Sequence, residues 1–159
     1  MFAWRSTLRS GNAPDALSET TGQPPTPSRT VDVMATVEIT TESFGPTIDS
    51  NDIVIVDFWA SWCQPCVRFA PTFEAASQKH ADIIFGKVDT EAQQQLAAEA
   101  SITSIPTLMV FREKVLVFAQ PGALNATQLD SVIDAVKALD MKDVHAAVTA
   151  KQAENLAAE

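Results

Sequence analysis

Cysteine is nearly missing from this chain: two residues in 159, Cys63 and Cys66. Histidine is as scarce, and neither His80 nor His145 has finger-like spacing to that pair. Zinc is usually held by four such ligands in a defined pattern, so a metal centre is not expected. No apolar run approaches the roughly 18 residues that span a bilayer, the longest being interrupted by Asp57 or Arg112. A soluble protein with no membrane partner is expected. Positive charge is also in short supply, with 11 Lys and Arg against 20 Asp and Glu, a formal net charge of −9, and the basic residues scattered. A phosphate backbone finds no basic footprint here, so no nucleic-acid partner is expected.

What is present is enough for one folded unit. Apolar residues make up 46% of the chain, and its length accommodates one domain of about 100–150 residues plus a tail. Residues 1–33 differ from the rest. Their "SGNAPDALSETTGQPPTPSRT" is rich in Pro, Gly, Ser and Thr and poor in large apolar residues, the composition of a disordered extension. "MFAWRSTLRSGNAP" lacks the continuous apolar centre of a secretory signal, while Arg5 and Arg9 with no acid before Asp15 keep an organelle transit peptide as the alternative. Met34 reads as the natural start, and residues 1–33 as a dispensable or artefactual extension.

From Met34 the periodicities alternate. "TVEIT" reads as a short strand, and "TTESFGPTIDS" as a doubtful helix because of Gly45 and Pro46. "DIVIVDFWA" is an apolar, β-branched run suited to a strand buried on both faces, and "DIIFGKV" is a second. Between them Val67, Ala70, Phe73 and Ala76 recur at helical spacing, with Pro71 expected to kink the helix. Thr90 and Gln93 have capping-box spacing and open "TEAQQQLAAEA" as a helix, and Asn125 and Gln128 repeat that spacing ahead of Leu129, Val132, Ile133 and Val136. "IPTLMVF" and "VLVFA" read as strands joined by the turn "REK". Residues 142–159 have helix formers but a weak apolar stripe, which predicts a helical or frayed extension to a domain at 34–141. The order predicts an α/β fold, a central mixed β-sheet flanked by helices on both faces. It sets Trp62 to Cys66 at the carboxyl end of a central strand, where open α/β sheets put their sites.

The cysteine pair has a redox reading and a bland one. A structural bridge gains most from closing a long loop, and this loop is very short. If Cys63 begins a helix, its sulfur faces unpaired N–H groups and the positive end of the helix dipole, which favour the thiolate. Cys66 then lies one turn on as a resolving thiol, and Pro65 suits a first turn, where its missing N–H costs nothing. Two inert buried thiols do not account for the flanking Trp59, Trp62 and Pro65. Asp57, set among strand residues, is costly to bury unless paired or protonated. Lys87 is its candidate partner, and a carboxyl of raised pKa behind Cys66 would take and return a proton. The competing reading has Asp57 turned to solvent at a strand end.

"VDFWASWCQPC", "KVDT", "SIPT" and "PGAL", in that order and at those intervals, resemble the thioredoxin family from Val37 to Leu139. The resemblance implies the thioredoxin fold, with Cys63 as exposed nucleophile, Cys66 as resolving thiol, and Asp57 with Lys87 as a buried proton-handling pair. It implies a substrate surface of Trp62, Gln64, Pro65, Ile105, Pro106 and Gly122, and a cis bond before Pro106. The activity implied is reduction of protein disulfides by a cytoplasmic monomer that binds no cofactor and receives electrons from NADPH through thioredoxin reductase. Two departures stand out: Gln64 replaces the usual Gly between the cysteines, and Lys114 stands where the family hairpin usually has Gly. The competing functions are a thioredoxin-fold binding module with incidental thiols, and a specialised oxidase or isomerase.

Overall fold

The structure is a computed structural model and describes residues 35–158. The expectations for the extension at residues 1–33 therefore lie outside the described residues. In chain order the elements are β1 (Thr36–Glu38), α1 (Thr41–Asp49), β2 (Ile53–Trp59), α2 (Gln64–Lys79), β3 (Ile84–Asp89), α3 (Gln94–Glu99), β4 (Thr107–Arg112), β5 (Val115–Pro121), α4 (Ala126–Ala138) and α5 (Met141–Ala157).

The five strands form one sheet in the order β1-β3-β2-β4-β5. β1, β3 and β2 run parallel, whereas β4 and β5 are added antiparallel. β2 is central and buried from Ile53 to Phe58, because alternate side chains point to opposite faces and helices cover both. Ile53 and Ile55 pack with Phe69 and Phe73 of α2 and with Leu129, Ile133 and Val136 of α4. Val54, Val56 and Phe58 pack on the other face with Ile48 of α1 and Leu96 of α3. Asp57 shares the parity of Ile53 and Ile55, so it belongs to the face covered by α2 and α4.

Several local expectations are corrected. The buried stripe of α2 is Cys66, Phe69, Phe73, Ala76 and Ser77, while Val67 is 46% exposed. Two phenylalanines bury more apolar area than Val67 and Ala70 offer, and they set the phase of the helix. α2 continues on both sides of Pro71, the position expected to kink it. α1 does form despite Pro46, because Thr40 and Ser43 make a capping box and the Thr41 N–H donates to Gln93 Oε1 at 2.9 Å. Thr90 does not cap α3. Its hydroxyl donates to the Trp59 carbonyl at 3.1 Å, and Gln93 is an N-cap without a side-chain bond. Asn125 and Gln128 do form their capping box on α4.

The β4–β5 turn is left-handed at both central residues, with φ of 46° at Glu113 and 69° at Lys114. The turn is thus the glycine-favouring kind, occupied by residues that carry a Cβ. Neighbours hold it: the Glu113 N–H donates to the Asp52 carbonyl at 2.8 Å, and His145 of α5 lies 2.8 Å from Glu113 Oε2. We expect Lys114→Gly to raise stability by about 1 kcal/mol, since the left-handed penalty at Lys114 exceeds the worth of its exposed pairing with Asp49. Denaturant unfolding checks this, and a less stable variant would contradict it.

α5 begins at the Asp140 cap, buries Met141 and half-buries Val144 and Val148; the remainder to Ala158 is exposed where described. Arg112 donates to the carbonyls of Val136, Lys137 and Leu139 at 2.6, 3.1 and 2.9 Å, closing the end of α4 against β4.

Candidate active site

β2 ends at Trp59, and the chain turns so that the Cys63 N–H donates to the Ala60 carbonyl at 3.1 Å. Cys63 is extended at the N-cap of α2, Pro65 occupies the first turn, and the Cys66 N–H points at Cys63 Sγ at 3.3 Å. The helix starts where its unpaired N–H groups meet sulfur. Cys63 and Cys66 are joined as a disulfide with Cα atoms 5.3 Å apart. Cys63 is 5% exposed and Cys66 1%, so the broad exposure expected of Cys63 is not seen. Its access is through a groove of ≈ 450 Å³ that it lines and Cys66 does not. Ala60, Trp59 and Ile105 pack around the two sulfurs, which explains the low exposure.

One side of the groove is Trp62, Cys63, Gln64 and Pro65; the other is Ile102, Thr103, Ser104 and Ile105, with Thr90 and Ala97 completing it. The Ile105 carbonyl oxygen is 3.8 Å from Cys63 Sγ, and the Ile105–Pro106 bond is cis. Pro106 and Gly122, expected in the lining, are not part of it. Pro106 is buried, and the Gly122 N–H donates to its carbonyl at 2.8 Å. Gly122 has φ of 100° with no atom within 4 Å of a built Cβ, so its backbone conformation rather than a close approach calls for glycine.

Asp57 is 1% exposed, which removes the solvent-facing reading. Neither carboxylate oxygen has a hydrogen-bond partner. Burial pushes its pKa up from 3.8 to about 7, opposed by the charge of Lys87. Lys87 is its register neighbour on β3, yet no ion pair joins them among the described residues. The Lys87 ammonium lies 4.5 Å from the centroid of the Trp59 ring instead, a cation–π contact.

The family model for thioredoxin matches residues 35–135. The chain belongs to the thioredoxin family. It is 52% identical over 120 residues to the Streptomyces coelicolor protein named "Putative thioredoxin 2", covering 76% of this chain and 90% of that one. Thioredoxin of Mycobacterium tuberculosis is 35% identical over 105 residues, covering 62% and 90%. Among solved structures, Plasmodium falciparum thioredoxin aligns with a TM-score of 0.58 at 34% identity, covering 62% of this chain and 96% of that one. Oxidised mitochondrial thioredoxin 3 of Saccharomyces cerevisiae gives 0.59 at 30%, covering 63% and 94%.

The thioredoxin fold with a disulfide-forming Cys63–Cys66 pair makes the chain a thiol–disulfide oxidoreductase that reduces protein disulfides. That reading is favoured over a binding module with incidental thiols. Among the described residues no helix is long and apolar enough to cross a membrane, and no group of three or more side chains could hold a metal. The motif reading missed Thr90, Ala97 and Ile102 to Ser104 in the groove. Topology held the signal: the segments after β3 and before β4 meet the same sheet end as the segment after β2.

Proposed function

We propose that Cys63 is the attacking sulfur and Cys66 the resolving one, with clients bound along the groove. The observation carrying this is the asymmetry of the pair: Cys63 caps α2 and lines the groove, while Cys66 is sealed in the core. The Cys63 thiolate attacks one sulfur of a client disulfide, forming a Cys63–client bond and releasing the other client sulfur as a thiolate that takes up a proton. Cys66 then loses its proton and attacks Cys63 Sγ. The Cys63–Cys66 bond forms, the mixed disulfide breaks, and the second client sulfur leaves and is protonated. Two electrons and two protons have passed to the client.

Asp57 is the acceptor of the Cys66 proton in this proposal. A carboxyl titrating near 7 is as often empty as occupied at neutral pH, so it can take the proton and return it when the pair is reduced again. Lys87 acts by its charge, which keeps that value from rising further. The Gly122 N–H holds the Pro106 carbonyl next to Ile105 of the groove. The reductant is a thioredoxin reductase drawing on NADPH, and the protein works as a cytoplasmic monomer without a cofactor of its own.

Reduction of insulin disulfides with dithiothreitol as electron source tests the activity: turnover far above the uncatalysed rate is expected, and no acceleration would leave only a scaffold. Gln64 is exposed on the groove. We expect Gln64→Gly to move the redox potential by less than about 30 mV, a tenfold change in the equilibrium constant. A larger shift in a glutathione-buffered titration would make Gln64 a determinant of the potential.

A further inference from the structure

Trp62 is 64% exposed, an unusual setting for a large aromatic side chain that forms one wall of a binding groove. Little packing holds such a ring in one rotamer, and each rotamer-rich side chain ordered on binding costs affinity. The indole N–H of Trp62 donates to Glu91 Oε1 at 3.1 Å, across 29 positions of sequence. Glu91 is its one hydrogen-bonding partner among the described residues.

The backbone that carries Glu91 is held from several directions. The N–H groups of Glu91 and Ala92 donate to Asp89 Oδ1 at 2.9 and 3.4 Å. Just before it, the Thr90 N–H and hydroxyl both donate to the Trp59 carbonyl, at 2.9 and 3.1 Å. The carboxylate is therefore presented from a segment fastened to the end of β2, three residues ahead of the ring it receives. Glu91 itself does not line the groove, and no charged side chain does. Its effect reaches the groove through Trp62.

We propose that Glu91 is a positioning residue for client recognition, holding the Trp62 indole as a preset groove wall so that protein clients meet an ordered surface. A small disulfide that needs only the Cys63 sulfur gains nothing from that wall. The inference rests on the groove being the client surface, and the two can fail separately.

The experiment measures second-order rate constants for reduction of insulin and of bis(2-hydroxyethyl) disulfide by the prereduced full chain. Glu91→Ala is expected to slow insulin reduction about 3- to 10-fold, the range of one lost ordering contact, and to leave the small disulfide unchanged. Glu91→Gln keeps an amide oxygen for the indole and is expected to restore most of the insulin rate. In nitrogen-15 spectra the Trp62 indole resonance should move in the alanine variant and stay near its place in the glutamine variant. Trp62→Ala is the control, expected to slow insulin reduction whatever Glu91 does. An unaffected Trp62→Ala would overturn the client groove and this inference with it. A slowed Trp62→Ala beside an unaffected Glu91→Ala would overturn the inference alone. Equal losses on both substrates, or a glutamine variant as slow as alanine, would also overturn it.

Discussion

Cys63→Ser is expected to abolish disulfide reduction, and Cys66→Ser to accumulate clients as mixed disulfides on Cys63. The two losses differ because the positions differ. A hydroxyl at position 63 presents no thiolate to the groove, so the first bond never forms. With Cys63 intact, that bond forms at the surface, but release requires a second sulfur one helical turn away, and the only one is Cys66. Non-reducing electrophoresis and intact mass of the Cys66→Ser protein mixed with insulin should show the covalent adduct, dispersed by dithiothreitol. Alkylation of the reduced protein at neutral pH should label Cys63 first. Preferred labelling of Cys66 would reverse the roles.

Asp57→Ala is expected to make the protein more stable and slower. The folded state holds this carboxyl at about 7 against an ordinary 3.8, the shift arising mainly from burial. The unfolded chain releases its proton first as pH rises through about 4, so between there and about 7 the folded state binds more protons and loses stability. Above 7 the loss levels off at an amount on the order of 4 kcal/mol. Truncation to alanine removes that penalty and gives up roughly 1 kcal/mol of packing. A net gain of about 2–3 kcal/mol is expected at pH 8, shrinking toward zero at pH 5, in denaturant unfolding of the oxidised protein. Reduction of insulin should slow by at least about tenfold, the low side of general-base contributions. A gain independent of pH would show that folding leaves the Asp57 pKa unshifted.

Much of this architecture could be read from residue order, and the failures share a cause. The apolar run around Asp57 announced a strand buried on both faces, and the capping box at Asn125 and Gln128 marked the start of α4 correctly. Thr90 and Gln93 have the same spacing, yet the Thr90 hydroxyl goes to Trp59 and the Gln93 amide oxygen to Thr41. Both partners are brought close by tertiary structure, so local spacing could not disclose them. Lys87 was placed beside Asp57 by strand position, which fixes the register but not where a long side chain ends; its ammonium chose the Trp59 face. The groove showed the same division. Trp62 to Pro65 were legible as a motif, whereas Ile102 and Thr103 carry no motif of their own and line the groove because β4 returns antiparallel to β2.

The central claim is that the Cys63–Cys66 pair works as a reductant of protein disulfides, and its redox potential tests that most directly. No cationic side chain is bonded to either sulfur; the near neighbours of Cys63 Sγ are the Cys66 N–H and the Ile105 carbonyl oxygen. Strong stabilisation of the thiolate, which makes such pairs oxidising, therefore has no source beyond the helix terminus. Equilibrium titration of the purified protein in a glutathione or NADPH-linked redox buffer should return a value near the roughly −270 mV typical of thioredoxin. A value less negative than about −200 mV, in the range of isomerases and oxidases, would contradict the reductase account.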